Sequence, residues 1–131
     1  MIEGITHIGI IVVNIEEVVE SLCRVYQLPK PSITYVESRK MKVTVLPFGG
    51  AALELVEDFN EGSELTKKVL KEGPFIHHFA LNSTNVVEDA ESLGNIGCEL
   101  DGAGPIIGLR GKMVQFYKDA ALGLLIELTE S

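Results

Sequence analysis

The fold is decided by a stretch that the chain repeats, Thr6-His7-Ile8-Gly9-Ile10 followed closely by Asn14-Ile15-Glu16-Glu17. The second copy reads His77-His78-Phe79-Ala80-Leu81, followed by Asn85-Val86-Val87-Glu88. A shift of 71 positions, the distance from His7 to His78, places histidine on histidine and asparagine on asparagine. The spacing between the two motifs is the same in both copies. The chain therefore reads as one module written twice.

The repeat continues to the end of each copy. The same shift aligns Arg39 with Arg110, and a two-residue insertion then aligns Leu53-Glu54-Leu55 with Ile126-Glu127-Leu128. Each copy thus has one histidine near its start and one glutamate near its end. We divide the chain into a first module at residues 1–58, a connector at 59–73 and a second module at 74–131, which together form a single domain.

Hydrophobic periodicity predicts the order β-α-β-β-β in the first copy, and the pattern restarts with a strand and a helix in the second, which indicates an α+β fold. Runs rich in Ile and Val indicate strands. Asn14, Asn85 and Ser63 are good helix N-caps, and glutamates follow both asparagines in the first turn. The predicted strands are 4–13, 32–37, 41–48, 51–57, 75–82, 112–117 and 122–129, and the predicted helices are 15–26, 63–70 and 85–96.

The composition restricts the range of partners. The chain has 131 residues, an apolar fraction of 46% and a formal charge of −8. A net negative charge argues against nucleic acid, whose phosphates need Lys and Arg, and weakly against anionic membrane surfaces. No apolar run is long enough to span a bilayer. The start of the chain does not resemble a signal peptide, and Cys23 and Cys98 suggest no disulfide framework, so we expect a cytoplasmic protein.

Four polar residues interrupt apolar strands, namely His7, Glu54, His78 and Glu127. For any one of them alone, a structural role is the better interpretation. Taken together, two repeated modules related by a pseudo-twofold axis would bring equivalent residues into one place. Two imidazoles and two carboxylates are suitable ligands for a divalent metal. The adjacent His77 aligns with Thr6 and points to the opposite face, so we interpret it as structural.

At these residues the chain resembles the vicinal oxygen chelate superfamily, which includes glyoxalase I, methylmalonyl-CoA epimerase and the extradiol dioxygenases. The resemblance implies two tandem β-α-β-β-β modules that form a cupped, glyoxalase-like sheet around a divalent metal. It also implies that His7, Glu54, His78 and Glu127 are the metal ligands. One Co, Ni, Mn or Zn ion per site and a homodimer are the corresponding expectations.

Within the superfamily, the chain is most similar to methylmalonyl-CoA epimerase. The similarity lies in the opening strand, the double histidine and the final strand, Gly123-Leu124-Leu125-Ile126-Glu127-Leu128. It implies an isomerase that removes a proton next to a carbonyl, with Glu127 as the first choice of base and Glu54 on the opposite face. The chain departs from the epimerases in having no carboxylate on the third strand, where Lys42-Val43-Thr44 stands.

The ligand set alone leaves other functions open. Glyoxalase I, a lactoylglutathione lyase, uses the same four residue types, so the substrate is either an acyl-CoA thioester or a hemithioacetal. A non-catalytic module that binds a small molecule is a third alternative.

Three further features have open roles. Arg110 is either a donor to a substrate carboxylate or a surface charge. Residues 102–111, rich in glycine, form either a mobile flap or an ordinary connector. Lys67, Lys68 and Lys71 fit a solvated helix face better than a contact with CoA phosphates.

Overall fold

The computed structural model describes residues 1–130, which contain nine strands and three helices and confirm the predicted α+β class. The strands are β1 Ile2–Ile11, β2 Thr34–Val36, β3 Met41–Phe48, β4 Ala51–Asp58, β5 Phe75–Ser83, β6 Glu99–Leu100, β7 Ile106–Ile107, β8 Met113–Lys118 and β9 Leu125–Glu130. The helices are α1 Ile15–Tyr26, α2 Glu64–Glu72 and α3 Val86–Asn95. None of these helices is long and apolar enough to cross a membrane.

The chain divides into two compact units, and β1 contributes residues to both. One unit is Ile8–His77. Its strands run in the order β2, β3, β4 and the end of β1, and β3 and β4 form an antiparallel hairpin in which Val45 faces Glu54. The apolar side of α1 packs on this sheet. The buried residues of that core are Val12, Ile15, Val19, Leu46 and Leu55.

The other unit comprises Met1–His7 and the chain from His78 onwards. Its strands run in the order β1, β5, β9, β8 and β6, and β7 pairs with β8 outside this path. Strands β5 and β9 are parallel, with Ala80 beside Glu127, whereas β8 and β9 are antiparallel, with Phe116 facing Glu127. The buried residues of the core on the α3 side are Val86, Tyr117, Ile126 and Leu128.

The beginnings of α1 and α3 repeat the same hydrogen bonds. The Asn14 side chain accepts from the Glu17 N–H, and the Asn85 side chain accepts from the Glu88 N–H, each at 3.1 Å. These are the predicted N-caps, and each satisfies one of the amides that the first helical turn leaves unpaired.

A carboxylate from the last strand of each copy satisfies a second amide. The Ile15 N–H donates to Glu57 Oε1 at 2.9 Å, and the Val86 N–H donates to Glu130 Oε1 at 3.2 Å. Glu57 and Glu130 are equivalent in the repeat, as are Ile15 and Val86. Each module therefore ties its helix to its final strand in the same way.

The ends of several elements differ from the prediction. Strand β9 begins at Leu125, not at 122, because residues 119–124 form a turn in which the Asp119 carboxylate accepts from the N–H groups of Ala121 and Leu122. Within the glycine-rich stretch, Ile106–Ile107 pairs with β8 as β7, a strand that was not predicted. Cys23 and Cys98 are free, as expected.

Candidate metal centre

Two histidines meet in the unit formed by the start of β1 and the chain from His78 onwards. His7 and His78 are 1% and 6% exposed, and their Nε2 atoms are 3.4 Å apart. The rings meet edge to face, with centroids 5.5 Å apart and planes at 83°. Strand alternation explains the placement, because both residues point to the face of their strand opposite to the helix side.

Glu127 of β9 joins the two histidines. Its Oε2 lies 3.4 Å from His78 Nε2 and its Oε1 lies 3.6 Å from His7 Nε2. The carboxylate is 6% exposed. A buried carboxylate is costly unless it is paired or binds a metal, and here it faces two imidazoles. The parallel pairing of β5 with β9 positions it, because Ala80, two residues after His78, lies beside Glu127.

His7 is held in its neutral form. Burial, followed by the positive charges of Arg110 and Lys112, lowers its pKa from 6.5 to about 4. A neutral imidazole has one nitrogen with a free lone pair, which is the form that binds a metal. The environment of His7 therefore favours the protonation state that ligation requires.

Two residues of the β7–β9 region contact the histidines. Arg110 is exposed as a whole residue, but its Nη2 lies 3.0 Å from His7 Nδ1. The Phe116 ring meets His78 edge to face, at 5.1 Å and 87°. Sequence reasoning missed Phe116. A signal for it was present, because aligning β8 and β9 as a hairpin places Phe116 opposite Glu127.

Glu54 lies in the unit Ile8–His77. It is 5% exposed in β4, opposite Val45 of β3. Since Val45 and Phe116 are equivalent in the repeat, Glu54 has the same hairpin register as Glu127. Like His7 and His78 in the other unit, Glu54 is a buried residue of a type that can be a metal ligand.

The remaining predicted residues lie beside α2 in that same unit. His77 is half-buried and lines a cavity of about 460 Å³ with Lys67, Lys68, Lys71 and Phe75. Lys68 Nζ lies 4.4 Å from the centre of the Phe75 ring, and Lys67 Nζ lies 3.7 Å from Glu64 Oε1. His77 thus faces away from the strand face that carries His78, as alternation predicted.

The spacing of the histidine and glutamate atoms fits a divalent metal. Imidazole nitrogens and carboxylate oxygens bind such ions at about 2.0–2.2 Å, so neighbouring ligand atoms lie roughly 3.0–3.6 Å apart. The three separations among His7 Nε2, His78 Nε2 and Glu127 are 3.4, 3.4 and 3.6 Å. The donor set of nitrogen and oxygen suits Zn, Co, Ni or Mn.

Comparison with known proteins establishes the family. The model of the Glyoxalase/Bleomycin resistance protein/Dioxygenase superfamily matches residues 6–116. The chain therefore belongs to this superfamily, which confirms the resemblance predicted from the repeat. No curated protein sequence matches the chain.

Solved structures show the same fold. A hypothetical protein from Bacillus halodurans C-125 is 29% identical, with a TM-score of 0.86, and the alignment covers 97% of this chain and 93% of that one. Streptomyces coelicolor methylmalonyl-CoA epimerase in complex with 2-nitronate-propionyl-CoA is 25% identical, with a TM-score of 0.87 and coverage of 100% and 99%. A methylmalonyl-CoA epimerase in complex with methylmalonyl-CoA and NH4+ is also 25% identical, with a TM-score of 0.87 and coverage of 100% and 96%.

Proposed function

We propose that this protein is a divalent-metal-dependent isomerase that moves the proton alpha to the carbonyl of an acyl-CoA thioester, as methylmalonyl-CoA epimerases do. The observation that carries the proposal is the buried group of His7, His78 and Glu127, whose nitrogen and oxygen atoms lie 3.4–3.6 Å apart. A metal-binding group in a chain of this family supports enzyme activity over simple binding.

Four residues are proposed to hold the metal, namely His7, Glu54, His78 and Glu127. Glu54 is included because it is buried at the same hairpin register as Glu127. A divalent ion bound there supplies Lewis acidity, which stabilises negative charge on the substrate carbonyl oxygen. The neutral state of His7 fits this role, because no proton has to leave an imidazolium cation before ligation.

Glu127 is proposed as the base that removes the α-proton. Its carboxylate is buried within the group that is proposed to hold the metal, where it can accept a proton from a substrate bound beside it. Glu54 is proposed to return the proton on the opposite face of the carbanion. Two carboxylates at equivalent positions of a repeat suit a reaction that exchanges the two faces of a carbon atom.

The acyl-CoA class is favoured by the ligands in the two epimerase structures to which this chain is similar. The absence of a carboxylate in Lys42-Val43-Thr44 leaves Glu54 and Glu127 as the proposed acid and base. A cytoplasmic location, expected from the sequence, and a homodimer, implied by the superfamily resemblance, complete the proposal.

Proton exchange tests this function directly. Protein loaded with Co²⁺ or Zn²⁺ is incubated in D₂O with (2R)- or (2S)-methylmalonyl-CoA, and deuterium at the α-carbon is followed by mass spectrometry. We expect incorporation with wild-type protein and, with at least one of the two epimers, incorporation about 10²–10⁴-fold slower with the Glu127→Gln variant. Absence of incorporation with wild-type protein that binds the metal would overturn the epimerase assignment.

The glyoxalase I alternative has its own assay. Methylglyoxal and glutathione are mixed with the same metal-loaded protein, and the formation of the S-lactoylglutathione thioester is followed by its ultraviolet absorbance. Thioester formation without exchange on methylmalonyl-CoA would assign the protein to the lyases instead. Metal binding with neither reaction would favour a binding module.

A further inference from the structure

The contact between Arg110 and His7 fixes which nitrogen of His7 bears a proton. A guanidinium group is donor-only and stays protonated in proteins. Because Arg110 Nη2 lies 3.0 Å from His7 Nδ1, Nδ1 must be the acceptor. An imidazole that accepts at Nδ1 has its single ring proton on Nε2.

That proton occupies the wrong nitrogen for metal ligation. Nε2 is the atom that faces His78 Nε2 at 3.4 Å and Glu127 Oε1 at 3.6 Å. Ligation at Nε2 needs its lone pair, so the proton there must leave and Nδ1 must gain one, through solvent, if the ring is to stay neutral. The new Nδ1–H would then point at an Arg110 N–H, and two donors cannot form a hydrogen bond.

This arrangement is the reverse of the usual surroundings of a ligating histidine. Such a histidine almost always donates its second N–H to a carboxylate, a carbonyl oxygen or a water molecule. Arg110 offers His7 a donor in that place. Arg110 belongs to the connection of residues 101–112 between β6 and β8, which is longer than the corresponding connection of the first copy, residues 37–40.

We propose that Arg110 and a metal ion compete for His7, so that Arg110 holds the ring in the tautomer that opposes ligation, and metal binding displaces the guanidinium from Nδ1. Arg110 is thus a positioning residue that acts through His7. The proposal rests on the metal site of the proposed function, but not on its substrate.

Metal affinity tests the competition without any catalytic assay. Zn²⁺ or Co²⁺ is titrated into wild-type protein in competition with a chromophoric chelator. We expect Arg110→Met to bind the ion about tenfold more tightly, because the competing hydrogen bond is gone. Lys112→Met is the matched control, since it removes a nearby positive charge but no hydrogen bond to His7, and should change the affinity less than threefold.

Each result of this titration has a distinct meaning. An Arg110→Met variant that binds metal as weakly as wild type, or more weakly, would overturn the competition while leaving the metal site in place. An equal gain in the Lys112→Met variant would also overturn it, because charge alone would explain the effect. Wild-type protein that binds no metal would overturn both this inference and the proposed function.

Imidazole NMR provides a readout that a purely structural role of Arg110 would not change. Long-range ¹H–¹⁵N spectra distinguish the two neutral tautomers of a histidine. We expect His7 to be protonated at Nε2 in metal-free protein and at Nδ1 in the Zn²⁺-loaded protein. A Zn²⁺-loaded His7 with no proton on either nitrogen would show that Arg110 stays and stabilises an imidazolate, which contradicts displacement.

Discussion

The β3–β4 hairpin of the first copy and the β8–β9 hairpin of the second have the same register. They differ in the connection that leads into each hairpin from the preceding strand. Glu54 faces Val45, and Glu127 faces the equivalent Phe116. By contrast, β2 and β3 are joined by residues 37–40 alone, whereas residues 101–112 join β6 to β8 and include β7. The repeat thus preserves the positions of the proposed ligands, while the connections between strands differ between the two copies.

The largest expected effect is on the rate of α-proton exchange when either of the two glutamates is replaced. Glu127→Gln and Glu54→Gln each keep the side-chain shape but remove the basic carboxylate. We expect each to reduce α-proton exchange by about 10²–10⁴-fold, the usual contribution of a positioned acid or base. The measurement is the initial exchange rate with each substrate epimer. If the two glutamates serve opposite faces, each variant should lose exchange most strongly with a different epimer, and equal losses with both epimers would contradict that division.

The next effect concerns the residue opposite each glutamate. Phe116→Val gives the second copy the residue that the first copy has, and it removes the edge-on contact with the His78 ring. Aromatic pairs contribute about 0.5–1.5 kcal/mol beyond their buried area, so we expect metal affinity to fall several-fold as His78 becomes less well positioned. Chelator competition measures it. Phe48→Val, in the first copy, is the control, and an equal loss there would remove the special role of Phe116.

A smaller effect, on stability, compares a glycine of the long connection of residues 101–112 with a glycine of the β3–β4 turn. A Cβ atom on Gly108 would lie 3.1 Å from both γ-carbons of the buried Val114, whereas one on Gly50 would meet no atom within 4 Å. Valine is stiff at χ1 and moves little, so we expect Gly108→Ala to lower the free energy of unfolding by about 1–3 kcal/mol. Gly50→Ala should change it by less than about 1 kcal/mol. Denaturant unfolding of both variants checks this, and equal stabilities would contradict the tight packing of the long connection on β8.

The smallest expected effect is the pH-dependent contribution of Asp89, in the second copy, to the free energy of unfolding. The Ser83 hydroxyl donates to Asp89 Oδ2 at 2.6 Å and, together with the amino group of Met1, lowers the pKa of Asp89 below its usual 3.8. A carboxylate with a lowered pKa stabilises the fold above its unfolded pKa, and this stabilisation is lost as the pH falls through the folded pKa. Asp89→Asn should therefore cost about 1 kcal/mol at pH 7 and progressively less below pH 4.

Denaturant midpoints at pH 7 and pH 3 measure the effect of Asp89. The control is Glu88→Gln, which changes an exposed carboxylate in the same helical turn. A cost of Asp89→Asn that does not shrink at low pH would show that the hydrogen bond to Ser83 works equally well without the charge.

Much of this architecture was predictable from the sequence, because repetition and periodicity are local signals. The register that equates Glu54 with Glu127 follows from aligning the copies, and the caps at Asn14 and Asn85 follow from residue type. The tautomer of His7 was not predictable, because it depends on Arg110, 103 positions away. Strand β7 was missed because Ile106–Ile107 is too short for any period and is defined only by its pairing with β8.

The central claim is that His7, His78 and the two glutamates bind one divalent ion. The most direct test is the metal content of protein purified without a histidine tag and then incubated with Co²⁺ or Zn²⁺, beside a His78→Ala variant treated identically. We predict about one ion per chain in the wild-type protein and almost none in the variant, because one buried ligand is gone. Equal metal content in both proteins, or none in either, would contradict the account.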